Sequence, residues 1–201
     1  MTTSSVRLLR ARDVIGMPVV TVDGGEALAE VRDIVFDGAN HELVGLTLNK
    51  RGWFRGTRSE VLGSTQIAAI GGDAVMVDSA DDVTDPAPAA DAAALEGGGL
   101  DVLGNRVITA DGTIVGTVSG VILSAGRRPA AAGYEVTGKD GGALLVPISA
   151  QLALSGDNLV VPADMTSFDG GDLAGFGAFL SGSASTADED PTPGDSAGSD
   201  G

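Results

Sequence analysis

Cysteine is absent from the 201 residues, which excludes disulfides, thiolate metal sites and cysteine nucleophiles. Histidine occurs once, at His41. A single imidazole makes no histidine metal cluster and anchors no acid–histidine–nucleophile set. Aromatic residues are 3% of the chain, with one Trp and one Tyr, so any core must be built from Val, Ile and Leu. No apolar run approaches the roughly 20 residues of a membrane span. The opening MTTSSVRLLRARDVIG has no apolar stretch of signal-peptide length. These absences lead to the expectation of a soluble cytoplasmic protein, either free or peripheral to a membrane.

What is present is apolar residue (43%), glycine (31 residues) and acid, with a net charge of -16. The charge is uneven. Residues 1–79 hold ten acids and eight bases, and 98–166 hold six and four. The stretches 80–97 and 167–201 carry five and seven acids and no base. The acidity therefore belongs to a linker and a tail, and says little about the folded surfaces. It argues against broad nucleic-acid affinity, which needs clustered Lys and Arg.

An internal repeat organises the remainder. Val14-Ile15-Gly16 followed by VVTVDG (19–24) matches Val102-Leu103-Gly104 followed by VITADG (107–112). EVRDIVFD (30–37) matches TVSGVILS (117–124), and Gly45-LTLN matches Gly133-YEVT. VLGSTQIAAIGGDAVMV (61–77) then aligns without gaps on LVPISAQLALSGDNLVV (145–161). Four blocks in one order mark a duplication.

Each copy reads as β. Short apolar strands run into Asp-Gly turns, a hairpin signal. The Leu46/Leu48 and Tyr134/Val136 alternations predict one buried and one wet face. Five or six short strands in each copy predict a small closed barrel with its edges hidden and its interior filled by side chains. The predicted organisation is a first domain over 7–80, a flexible acidic linker over 81–97, a second domain over 98–166 and an acidic tail over 167–201, disordered from about 181. Within that tail LAGFGAFL (173–180) places Phe176, Phe179 and Leu180 at helical spacing. Three readings stay open for it: docking on a barrel in cis, a linear motif for a partner, or no structure.

GLTLNKRGWFRG (45–56) leading to VLGSTQIAAIGGDAVMV, and the V-I/L-G openings of both copies, resemble the PRC-barrel family. Val146-Pro147-Ile148-Ser149 matches that family's "VP-hydrophobic-S" segment, where the first copy has Leu62-Gly63-Ser64-Thr65. The resemblance implies an all-β fold of two tandem small PRC-type barrels and points to a fold more than a function. Members include the cytoplasmic domain of the photosynthetic reaction-centre H subunit and the C-terminal domain of a ribosome maturation factor. Both pack on larger assemblies. Neither the first one's membrane helix nor the second one's partner domain has a match here.

Chemistry is sparse. His41 lies in the turn GANHEL, and Asp23, Asp111, Asp73 and Asp157 sit singly at turns without a calcium-loop pattern. The run EGGGLDVLGN (96–105) lacks the Lys-Ser/Thr of a phosphate loop. No catalytic, cofactor or metal residue is predicted. One cluster rises above this background. Lys50, Arg51, Arg55 and Arg58 surround Trp53 and Phe54, a third of the chain's twelve bases within nine residues. Such a cluster suits a protein groove, an anionic membrane or ribosomal RNA. Alternatively the aromatics cap a barrel end and the bases form a solvated rim. The expectation is a non-enzymatic bacterial cytoplasmic scaffold or adaptor docking on a protein or assembly through a barrel surface. Peripheral binding to anionic membrane or ribosomal RNA through 50–58 is the alternative.

Overall fold

A computed structural model describes residues 7–50, 61–84 and 102–186. The first module comprises β1 (Leu8–Arg10), α1 (Ala11–Val14), β2 (Pro18–Thr21), β3 (Ala27–Asp37), β4 (Glu42–Lys50), β5 (Val61–Gly63), a 3-10 turn at Ser64–Gln66, β6 (Ala69–Ile70), β7 (Val75–Val77) and α2 (Asp81–Thr84). The second comprises β8 (Arg106–Thr109), β9 (Ile114–Ser124), β10 (Gly126–Arg127), β11 (Ala131–Gly138), β12 (Ala143–Pro147), β13 (Ala153–Ser155) and β14 (Asn158–Val161). It is followed by β15 (Phe168–Asp169) and α3 (Leu173–Thr186).

The duplication holds at the level of register. Gly45 pairs with Gly63 as Gly133 pairs with Pro147, and Val19 runs parallel to Val75 as Val107 does to Leu159. Even the irregularities recur. The ladders skip Leu28, Arg32 and Val44 in the first module and their counterparts Val115, Ser119 and Ala132 in the second. Bulges bend a strand and raise its twist, so the same three bends curl both sheets. After α1, Gly16 turns the chain at φ +87°, and its N–H donates to Val31 O. Gly104 does the same at φ +86° with Val118 O. A left-handed backbone at this turn is why both copies read V-I/L-G.

The sheets are ordered β10-β6-β7-β2-β3-β4-β5 and β13-β14-β8-β9-β11-β12-β15, with β1 pairing β9 off the second path. The two modules also exchange strands. β1 of the first half adds to β9 of the second, and β10 of the second half adds to β6 of the first. One contiguous apolar core runs through both, from Val14, Ile34 and Leu46 to Val121, Tyr134 and Leu159. Each fully buried side chain of this size stabilises by about 1.5–3 kcal/mol.

At the C-terminal end the structure decides among the three readings of LAGFGAFL. LAGFGAFL docks in cis: it opens α3, and Phe176 is fully buried against Leu8, Ile122 and Leu145. Gly133 makes room for it, since a Cβ there would lie 2.6 Å from the Phe176 ring. The predicted onset of disorder at 181 is corrected, because α3 runs on to Thr186. The packing of Phe176, Leu173 and Leu180 on an apolar sheet face supplies what the helix's glycines withhold.

Candidate interaction surface

The stems of the basic-aromatic connection are well defined. β4 runs three residues past its pairing with β5 and ends at Lys50, opposite Ala29, while Thr47 faces Val61. In the second module Glu135 faces Leu145 at the corresponding pair. Nine residues link that pair, whereas thirteen link Thr47 to Val61. The first module's connection is therefore longer by four residues on the same frame. Lys50 is placed by its backbone alone. Arg51, Trp53, Phe54, Arg55 and Arg58 lie outside the described residues, as does the predicted linker beyond Thr84.

The other chemical groups gather where the modules meet. Glu135 occupies the alternate position on β11 expected to be wet, yet it is only 5% exposed. The strand exchange buries it: Arg10 Nε donates to Glu135 Oε1 at 3.1 Å, and Arg12 Nη1 donates to Oε2 at 2.8 Å. Arg10 Nη2 also donates to Gly170 O at 2.6 Å. One carboxylate thus ties the N-terminal strand, the second sheet and the segment before α3.

Tyr134 is fully buried, with its ring edge-on to Phe36 at 6.0 Å. Its hydroxyl lies 2.5 Å from His41 Nδ1 across the joint. Burial, and then the charge of Asp37, push its phenol well above the usual tyrosine range. His41 adopts φ +58° in the β3–β4 turn. The same turn is held by Asp37, whose Oδ1 accepts from Ala39 N–H and whose Oδ2 accepts from Asn40 Nδ2. Slight burial works against the ionised form of Asp37, but these hydrogen bonds and His41 outweigh it and hold the carboxyl below its ordinary range. His41 is therefore a turn residue, as its position suggested, and also a partner of the buried tyrosine.

Of the turn aspartates noted in the sequence, Asp111 bonds locally. Asp111 accepts from the Thr109 hydroxyl and from Thr113 N–H. Those bonds hold its carboxyl below the ordinary range. Among the described residues no group of three His, Asp or Glu could hold a metal ion, and no helix is long and apolar enough to cross a membrane. A hollow of about 220 Å³ lies between Pro147, Leu152, Pro162, Met165 and Phe179, and a more open, polar one of about 590 Å³ between Asn105, Arg106, Thr117 and Asp157.

What the geometry offers is a duplicated, strand-exchanged β unit whose halves differ in one connection. The PRC-barrel domain model matches the chain twice, over residues 7–83 and 99–166. The chain belongs to the PRC-barrel family. No curated protein matches it. PRC-barrel domains are generally protein-interaction modules and generally non-catalytic. In this PRC-barrel protein the second family match begins at 99, the counterpart of residue 11, so β1 has no equivalent in it.

Proposed function

We propose that this protein is a non-enzymatic scaffold or adaptor of the bacterial cytoplasm. It docks on another protein or a larger assembly through its first module. The contact is made by Lys50, Arg51, Trp53, Phe54, Arg55 and Arg58. The observation carrying this reading is the unequal β4–β5 connection: on an otherwise repeated register, only the first module has four extra residues, the chain's one Trp and four cations. Aromatic and arginine side chains dominate the energetic centres of protein interfaces.

The test is a pull-down with wild type against Trp53→Ala/Phe54→Ala, each checked for folding by circular dichroism. Loss of one specific partner with the fold intact supports the reading. An unfolded double variant makes the aromatics core and overturns it. The four cations also favour a second reading, peripheral attachment to anionic membrane or ribosomal RNA. Such binding falls steeply with salt, whereas a protein partner seated on buried Trp53 resists it.

A further inference from the structure

The duplication singles out the polar hollow of about 590 Å³ beside the opening turn of the second module. Arg106 pairs with Thr117 on one side and with Asn158 on the other, so side chains from β14, β8 and β9 stand in one row across the sheet. Asp157 adjoins the row, its main-chain carbonyl accepting from Arg106 N–H at 2.9 Å. Asn105 and the exposed Leu103, on either side of Gly104, complete the wall.

The first module keeps the frame and changes the side chains. By the alignment, Met17, Pro18, Glu30 and Ala74 stand where Asn105, Arg106, Thr117 and Asn158 stand, while Asp73 matches Asp157. Two acids at this place in the first module thus become one acid and one cation in the second, with two carboxamides and a hydroxyl added. Asn105 is the costly exchange. Met17 packs in the core at 9% exposure. Asn105 is 8% exposed, and its carboxamide has no hydrogen-bond partner among the described residues. A buried carboxamide left unpaired destabilises a fold, and the sister module shows that the position accepts an apolar side chain. The neighbouring groups are equally uncommitted. Arg106 and Asp157 are joined through their backbones, yet their side chains form no ion pair with each other or with any described residue. The Thr117 and Asn158 side chains likewise make no hydrogen bond among the described residues.

We propose that this hollow binds a small zwitterion of the α-amino-acid or short-peptide class. Arg106 takes the carboxylate and Asp157 the ammonium, each through charge-assisted hydrogen bonds. The Asn105 carboxamide, both donor and acceptor, bonds the polar groups near them, and Leu103 meets an apolar side chain. One charge of each sign in the wall selects a ligand with one of each. A plain anion would face Asp157, and a plain cation would face Arg106. The site is separate from 50–58 and does not rest on the function proposed for that connection.

The probes are L-leucine and L-leucyl-L-leucine, titrated at millimolar concentration into isotope-labelled full-length protein. N-acetyl-L-leucinamide, which carries neither charge, is the control. Leucine or the dipeptide shifts the amide resonances of Gly104, Asn105, Arg106 and Asn158, and the tighter of the two tells a free amino acid from a peptide end. The control shifts none of them. Arg106→Gln and Asp157→Asn each weaken binding about tenfold, through one lost charge-assisted hydrogen bond. Asn105→Met, which installs the first module's residue, abolishes binding yet raises the thermal midpoint. A carboxamide that served only the fold would lower the midpoint on removal. Trp53→Ala/Phe54→Ala leaves binding unchanged, so this site and the 50–58 contact fail separately. Absence of shifts with both probes overturns the proposal. So does equal binding of the uncharged control, a set of shifts confined to other parts of the chain, or a lowered midpoint in Asn105→Met.

Discussion

Glu135 and Tyr134 are neighbours on one strand, and their surroundings make opposite demands. Glu135 is buried and its carboxylate is shared by two guanidinium groups. Glu135→Ala leaves Arg10 with only Gly170 O, while Arg12, largely exposed, returns to water. The expected cost is about 3 kcal/mol in urea unfolding, at the lower end for breaking a buried pair. A loss below about 0.5 kcal/mol would class the clamp with exposed ion pairs. Tyr134 must stay neutral. It is the only tyrosine, so phenolate absorbance follows it alone. The folded protein should show no ionisation at pH 10–11, past the free phenol's pKa of about 10. Because the folded-state pKa is the raised one, its contribution to stability is complete below about pH 10 and is lost as pH rises further. A normal alkaline titration with the fold intact would refute the burial assigned to this side chain.

Among the elements, α3 shows how little space decides docking. Gly133→Ala sets a methyl group against Val146 O and the Phe176 ring, at 2.5 and 2.6 Å from the ideal Cβ position. Overpacking of this kind costs about 1–3 kcal/mol, and Phe176→Ala about 3–5 kcal/mol by opening a cavity. Both should make α3 susceptible to limited proteolysis while leaving strand content unchanged in circular dichroism. Continued protection in both variants would mean that contacts other than Phe176 hold the helix. Here the sequence was legible where its signal was local. The blocks 61–77 and 145–161 align without gaps because their registers coincide, and the aromatic spacing of LAGFGAFL marked a helix. Nothing local announced Arg10 with Glu135, 125 residues apart, or His41 with Tyr134, 93 apart. Period-two alternation placed Glu135 in water because it considers one strand at a time. The element that covers that strand comes from the other copy. The candidate contact 50–58 was legible as composition alone.

At the scale of the whole molecule, the shared core removes the independence that a tandem repeat suggests. Thermal unfolding should be a single transition with calorimetric and van't Hoff enthalpies in agreement. Leu46→Ala in the first module, costing about 3 kcal/mol, should lower the midpoint reported by Tyr134 in the second by as much as that of the first. Two separable transitions would show that the core is not one cooperative unit. The strand exchange also bears on the order of synthesis. Domains commonly fold in turn as they leave the ribosome, at about 5–20 residues per second. Leu8 here waits for Ser124, and Ile70 for Gly126. For on the order of ten seconds the nascent first half carries one strand with no sheet to join and one sheet edge with no strand to cover it. Translation speed across the second half thus becomes a determinant of how well the first half folds.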